Sequence, residues 1–164
     1  MDDGHIWVEL VIIILLVLAN GVCSLAEIAI VGARKTKLQE LIDEGNKSAV
    51  YALRLAEEKE ELFATIQVGI TTISIITGMF SGASLAGPLG KELEKIPLLA
   101  PYAQGISMVT VMVLVTYFSL IIGELAPKWI AIAIPEKAAC MVARPMIIMA
   151  TICKPLVWFS TEST

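Results

Sequence analysis

The sequence predicts an all-α membrane protein with three transmembrane helices, a cytoplasmic helical hairpin and a kinked juxtamembrane belt helix. Apolar residues make up 57% of the chain, and the mean hydropathy is +0.79. A soluble domain is about half apolar and rarely has long uncharged stretches. A membrane-spanning helix needs roughly 20 apolar residues. The uncharged stretches that approach or exceed this length are residues 10–26, 62–90 and 96–123.

These stretches predict a single membrane domain over residues 1–164. The first stretch reaches full membrane length only with its flanks, and the other two have room for tilt or a break. The predicted units are spans at 6–31, 62–87 and 98–123, a hairpin at 34–60 and a belt helix at 129–160.

Lysine and arginine are distributed unevenly among the segments outside the spans. The flank before the first span has none, and the loop after the second has only Lys91 and Lys95. The rest of the twelve lie at 34–59 and 128–154. Cytoplasmic loops carry an excess of these residues. The sequence therefore predicts a multi-pass protein of the cell membrane, with its N-terminus outside and its C-terminus in the cytoplasm.

The hairpin is predicted from amphipathic spacing on both sides of a break at Gly45-Asn46. A glycine often ends a helix in this way. We expect the two helices to lie under the cytoplasmic leaflet, and a solvated linker is the alternative.

The belt helix is predicted from an apolar segment that is interrupted by Pro135, Pro145 and Pro155. Proline removes a hydrogen bond inside a helix and kinks it. We expect a kinked helix in the cytoplasmic interface, and a fourth span is the alternative.

Two acidic residues, Glu27 and Glu124, lie near the ends of membrane-length segments. Carboxylates are costly in hydrocarbon and usually face a cavity, a partner or an ion path. From the helical rise, Glu27 lies ~10 Å before Arg34 and Glu124 lies ~6 Å before Lys128. Both acids should therefore lie at a similar depth, in the cytoplasmic third of the bilayer.

Further oxygen-bearing groups accompany these acids. Asn20, Ser24 and Glu27 are spaced to share one face of the first span. Pro127 should interrupt the third span and free carbonyl groups near Gly123. An oxygen-only set suits hard cations such as Mg²⁺, Ca²⁺ or Na⁺.

Each of these residues also has a structural interpretation. Serine and threonine in membrane helices often bond the carbonyl four residues earlier. Glu27 could instead pair with Lys128 or Arg34, Glu124 could cap the broken helix, and Pro127 is architectural in either case.

Four motifs, in order, resemble the CNNM/CorC family of membrane proteins and cover nearly the whole chain. The first-helix motif and the Gly-Glu-x-x-Pro-Lys signature are matched by LANGVCSLAEIA at 18–29 and GELAPK at 123–128. The hairpin turn and the start of the second helix are matched by GNK at 45–47 and TIQVGIT at 65–71.

The resemblance implies a homodimer in the lipid bilayer that transports Mg²⁺, mostly outward, with Na⁺ exchange as a possible coupling. A stripe of small residues, Gly78, Gly82 and Ala86, is compatible with such close helix association. The resemblance also implies cytoplasmic CBS modules in the full-length protein. No nucleic-acid partner is expected.

By resemblance, a largely dehydrated Mg²⁺ would bind between the helices in an inward-facing cavity. Many family members have an asparagine pair where this chain has Ile70 and Thr71, and often a serine where it has Ala26. By resemblance, Ser24, the Gly69–Ser74 stretch and Glu124 would line the site. With Asn20, Glu27 and Gly123 from the helical face and the helix break described above, the candidates for metal binding are Asn20, Ser24, Glu27, Gly69, Thr71, Ser74, Gly123 and Glu124, and Pro127 and Lys128 are structural residues.

The alternative function is a non-transporting Mg²⁺ sensor or scaffold that regulates partner proteins. An enzyme is not expected, because the sequence has neither HExxH nor GxSxG, and no Ser/His or Cys/His arrangement with a plausible base.

Overall fold

The computed structural model describes the backbone of residues 3–162 and the side chains of 7–152, except those of residues 59, 61 and 83. The ends of the predicted domain and the last side chains of the predicted belt helix lie outside this part. The described helices are α1 (Asp3–Gly32), α2 (Lys35–Asp43), α3 (Lys47–Glu57), α4 (Lys59–Glu94), a 3₁₀ turn (Ala100–Tyr102), α5 (Ala103–Leu120), a π-turn (Ile121–Leu125), α6 (Ala126–Ala133) and α7 (Pro135–Glu162).

The all-helical prediction is confirmed, since the described residues form helices and no strand. Three helical stretches in this part are long and apolar enough to cross a membrane: Trp7–Gly32, Leu62–Glu94 and Ala100–Ala133. Many of their large apolar side chains are exposed, as lipid-facing side chains would be. The chain is therefore a multi-pass membrane protein, and the orientation of its termini stays a prediction.

The turn between α2 and α3 forms because Gly45 takes a left-handed conformation, with φ of 91°. The Gly45 N–H donates to the Ile42 carbonyl, and the Asn46 N–H donates to the Leu41 carbonyl, each at 2.9 Å. This is the double hydrogen bond of a Schellman motif. The Asn46 side chain then caps α3 by accepting from the Ser48 N–H at 3.0 Å.

The core lies at the end of the bundle that carries this hairpin. Alanines dominate it, and they let α1, α3 and α7 approach one another closely. The largest fully buried side chains of the cluster are Ile30, Leu38, Ile66 and Met146, from α1, α2, α4 and α7.

The third membrane-length stretch continues past the predicted end of the span at residue 123. The expected interruption takes the form of the π-turn, after which α6 extends to Ala133. Pro127 lies in the first turn of α6, where a proline is tolerated. The chain turns at Ile134, whose φ and ψ of −138° and 60° are not helical, and α7 starts at Pro135.

The start of α7 is joined to the α1–α2 junction by an ion pair. The Arg34 guanidinium donates to the Glu136 carboxylate at 3.1 Å. The pKa of Glu136 lies below its ordinary value of 4.5, chiefly because its own backbone N–H donates to the carboxylate. Partial burial opposes this effect, and Arg34 adds to it.

A carboxyl group with a depressed pKa stabilises the fold at pH values above its unfolded pKa, and this contribution is lost as the pH falls through the folded pKa. We therefore expect Glu136→Gln to be less stable than the native chain at pH 7, with the difference shrinking below about pH 4.5. Thermal unfolding in detergent between pH 3 and pH 7 measures this difference.

The matched control is Glu40→Gln, which removes the exposed Lys37–Glu40 pair. Such surface pairs contribute little, so this variant should melt close to the native chain. A native–variant difference for Glu136→Gln that stays constant down to pH 3 would contradict the assignment.

Candidate cation site

Pro127, four residues after Gly123, has no N–H to donate, so the Gly123 carbonyl in the π-turn is available to side chains of α1. The Asn20 amide Nδ2 and the Ser24 hydroxyl Oγ both donate to this oxygen, each at 3.1 Å. Ser24 is fully buried, and Asn20 is 9% exposed. A π-bulge in an α-helix frequently marks a functional site, and here it joins the first and third membrane-length helices through one acceptor.

The contact between α1 and the π-turn has a glycine on each side. A Cβ on Gly123 would lie 3.2 Å from the Val17 carbonyl oxygen and 3.3 Å from the Asn20 Nδ2. A Cβ on Gly21 would lie 3.2 Å from the Pro127 ring and 3.3 Å from the Ile122 carbonyl oxygen. A side chain at either position would therefore force the neighbouring atoms to shift by a few tenths of an ångström.

Beside this join lies a cavity of about 420 Å³ whose walls come from α1, α4, α5 and the π-turn. Polar and small side chains of α4 form one wall, and methionines of α5 form part of another. The lining residues that bear oxygen in their side chains are Asn20, Ser74, Thr77, Ser81, Thr116, Ser119 and Glu124.

Two fully buried side-chain oxygen atoms at this cavity have no hydrogen-bond partner in the described part of the chain. They are Oδ1 of Asn20 and Oγ of Ser119. A buried polar atom without a partner is unfavourable and calls for an explanation, such as a water or an ion. The Asn20 Oδ1 is an acceptor only, and the donor end of the same amide, Nδ2, is bonded to the Gly123 carbonyl.

The carboxylate of Glu124 is held by Lys128, one helical turn later. The Lys128 Nζ lies 2.9 Å from Oε1 of Glu124 and 3.5 Å from Oε2 of Glu27. One ammonium group therefore lies between acids from α1 and the π-turn. The sequence left two partners open for Glu27, Lys128 and Arg34. In the structure Glu27 pairs with Lys128, and Arg34 pairs with Glu136 instead.

The structure gathers some of the predicted site residues and separates others. Asn20, Ser74 and Glu124 line the cavity, and Ser24 and Gly123 lie directly beside it through the shared carbonyl. No described group of three or more His, Cys, Asp or Glu residues could hold a metal ion. The oxygen-bearing side chains that line the cavity, other than Glu124, are neutral amides and hydroxyls.

Gly69 and Thr71 are not among the described residues that line the cavity. Gly69 packs against the neighbouring helices, since a Cβ there would lie 3.1 Å from Cε of Met149 and 3.7 Å from Sγ of Cys23. Thr71 is exposed. Glu27 lies with Lys128 rather than on the cavity wall.

Sequence reasoning missed Thr77 and the two methionines Met108 and Met112. Helical spacing could have placed them at the cavity. Thr77 follows Ser74 by three residues, and the two methionines are four residues apart, so each pair shares one face of its helix. The hydroxyl of Thr77 donates to the Ile73 carbonyl at 2.8 Å. This is the local bond expected of a threonine in a membrane helix, and it leaves the oxygen lone pairs able to accept.

The family described as "Cyclin M transmembrane N-terminal domain" (CNNM) has a profile that matches residues 11–164. The chain belongs to this family. The resemblance found in its motifs is thereby confirmed, and the CNNM assignment covers the helices that form the cavity.

Curated relatives extend the comparison. The UPF0053 protein sll0260 of Synechocystis is 44% identical over 164 residues, which is 100% of this chain and 37% of that protein. The UPF0053 protein YhdT of Bacillus subtilis is 30% identical over 163 residues. The polyamine export protein of Escherichia coli K12 is 30% identical over 151 residues, 92% of this chain and 34% of that protein. The CNNM chain thus spans about a third of each relative's length.

Proposed function

We propose that this CNNM domain is the transmembrane part of a Mg²⁺ transporter, working in efflux and exchanging Na⁺. One observation supports this most: Glu124 and Asn20 line the same cavity between the three membrane-length helices. The Asn20 Oδ1 at this cavity is buried and has no hydrogen-bond partner among the described residues. A carboxylate together with amide and hydroxyl oxygens is a suitable set of ligands for Mg²⁺. Transporters commonly bind their substrate near interrupted helices, where irregular backbone lines a cavity.

Mg²⁺ prefers an octahedral shell and retains water readily. In the proposed arrangement, Glu124 supplies the charge, and Asn20 Oδ1 with hydroxyls of Ser74 and Ser119 supplies neutral oxygens. The cavity of about 420 Å³ leaves room for several of the ion's waters. The Gly123 carbonyl becomes a ligand only if it gives up the hydrogen bonds from Asn20 and Ser24. In the proposed homodimer, two such sites operate in one membrane assembly.

A second candidate substrate is a polyamine. The apolar part of the cavity wall favours it, whereas the oxygen ligands favour Mg²⁺. Met108 and Met112 provide apolar surface beside Glu124. An aliphatic chain with terminal ammonium groups matches a wall of that kind. One of the relatives is named for polyamine export.

The test is net flux in liposomes that contain the purified chain and trap a fluorescent Mg²⁺ indicator. Mg²⁺ is added outside, with or without an opposing Na⁺ gradient, and spermidine uptake is measured in parallel with radiolabelled substrate. Protein-free liposomes report the leak. Mg²⁺ flux well above the leak supports the proposal, and its dependence on Na⁺ tests the coupling.

Other outcomes separate the alternatives. Spermidine flux without Mg²⁺ flux would show that the substrate is a polyamine and not Mg²⁺. Saturable Mg²⁺ binding by calorimetry with no flux of either cation would favour the non-transporting sensor.

A further inference from the structure

We infer that Lys128 is a tethered counter-ion that holds the Glu124 carboxylate while no cation is bound and releases it by moving to Glu27. This inference rests on the proposed function, because it assigns the competitor that an incoming cation displaces. It makes Lys128 a positioning residue for the site, not a ligand.

In the structure, the ammonium group of Lys128 contacts both acids from a single position. Nζ lies at hydrogen-bond distance from Glu124, at 2.9 Å, and at a longer ion-pair distance from Glu27, at 3.5 Å. The two acids come from different elements, the π-turn and α1. The three side chains are 28%, 39% and 30% exposed for Lys128, Glu124 and Glu27. None of the three is fully buried among the described residues, which leaves the lysine room to move.

The chemistry makes the two occupants of Glu124 mutually exclusive. An ammonium group 2.9 Å from a carboxylate oxygen repels any second cation that approaches the same oxygen. Lysine carries its charge on a flexible stem with rotatable donors. The Glu27 carboxyl group already faces Nζ, so Lys128 can leave Glu124 and still have an acidic partner.

This arrangement favours ions of higher charge. A divalent cation attracts the carboxylate about twice as strongly as a monovalent cation at the same distance. It can therefore displace the lysine at concentrations where Na⁺ or K⁺ cannot. When the cation leaves, Lys128 returns, and the empty site never presents an unpaired Glu124.

The competing interpretation is a static bridge that ties α1 to the third membrane-length helix. Removing a positive charge 2.9 Å from the Glu124 carboxylate strengthens cation binding in either case. The two interpretations differ in the role of Glu27, which affects binding through Lys128 only if the lysine moves between the two acids.

The experiment is calorimetric titration of the detergent-purified chain with Mg²⁺, comparing native protein with Lys128→Met. We expect Kd to fall about fivefold, which corresponds to the loss of one partly exposed ion pair. The matched control is Lys95→Met, which breaks the exposed pair with Glu92 at 2.7 Å on α4 and should leave Kd unchanged. An unchanged or larger Kd in Lys128→Met would overturn the inference.

Glu27 provides an independent variant in case Lys128→Met does not fold. In Glu27→Gln the lysine loses its second carboxylate partner and stays on Glu124, so Kd for Mg²⁺ should rise. The double variant Glu27→Gln/Lys128→Met should bind like Lys128→Met alone, because the effect of Glu27 acts through the lysine. Additive effects, or a Glu27→Gln variant with the native Kd, would contradict this role.

Failure of the proposed function has a different signature. If neither the native chain nor any variant binds Mg²⁺, the Mg²⁺ site is wrong, and this inference with it. If the native chain binds Mg²⁺ and the variants fail to shift Kd in the stated directions, only the role of Lys128 is wrong.

Discussion

Glu124→Gln is expected to reduce Mg²⁺ flux and to raise the Kd for Mg²⁺ by at least about tenfold, the usual scale for losing a group that supports a metal site. The substitution keeps the shape of the side chain and removes its charge, and Glu124 is the only carboxylate among the described residues that line the cavity. The measurements are liposome flux and calorimetric titration with Mg²⁺.

The variant also loses an ion pair with Lys128, so its control must lose a similar pair elsewhere. Glu92→Gln meets this need, because Glu92 pairs with Lys95 on the exposed end of α4. The control should transport like the native chain. In the absence of Mg²⁺, the free energy of unfolding of each variant should lie within about 1 kcal/mol of the native value. A Glu124→Gln variant with native Mg²⁺ flux would show that Glu124 is not part of the site.

Gly123→Val is expected to destabilise the fold by about 1–3 kcal/mol, the usual cost of overpacking. Its Cβ would press on the Val17 carbonyl, and the branched side chain would displace Asn20 from the shared acceptor. Because the affected atoms include backbone, a small rotation of one side chain cannot relieve the contact. Thermal unfolding in detergent measures the loss.

The matched control is Gly105→Val in α5, where a Cβ would meet nothing within 4 Å. Valine and glycine differ by only a few tenths of a kcal/mol in helix propensity. That variant should therefore melt close to the native chain. Equal melting temperatures for the two variants would show that the close approach at Gly123 contributes no specific stability.

The sequence predicted the helices well because their signals are local. Uncharged length identified the three membrane-length helices, and Gly45-Asn46 identified the turn whose hydrogen bonds the structure contains. Pro127 correctly indicated an interruption, but not its form. A π-turn depends on a partner for the released carbonyl, and that partner, on α1, is distant in sequence.

The candidate site was only partly predictable for the same reason. Helical spacing shows which residues of one helix share a face, but not which face meets a cavity. Gly69 was assigned to the site from its motif, yet it packs against Met149 of α7. Ser74, three residues beyond Thr71, reaches the cavity. The roles of these residues as ligands stay a prediction.

The π-turn also changes the direction in which later side chains point around the helix axis. One additional residue in a helical turn rotates the subsequent residues by about 100° around the axis. Lys128 points at Glu27 with that offset in place. A chain one residue shorter between Ile121 and Leu125 could close a regular α-helix, but it would carry Lys128 away from α1. The length of this segment, as much as its composition, thus determines which of its side chains meet those of α1.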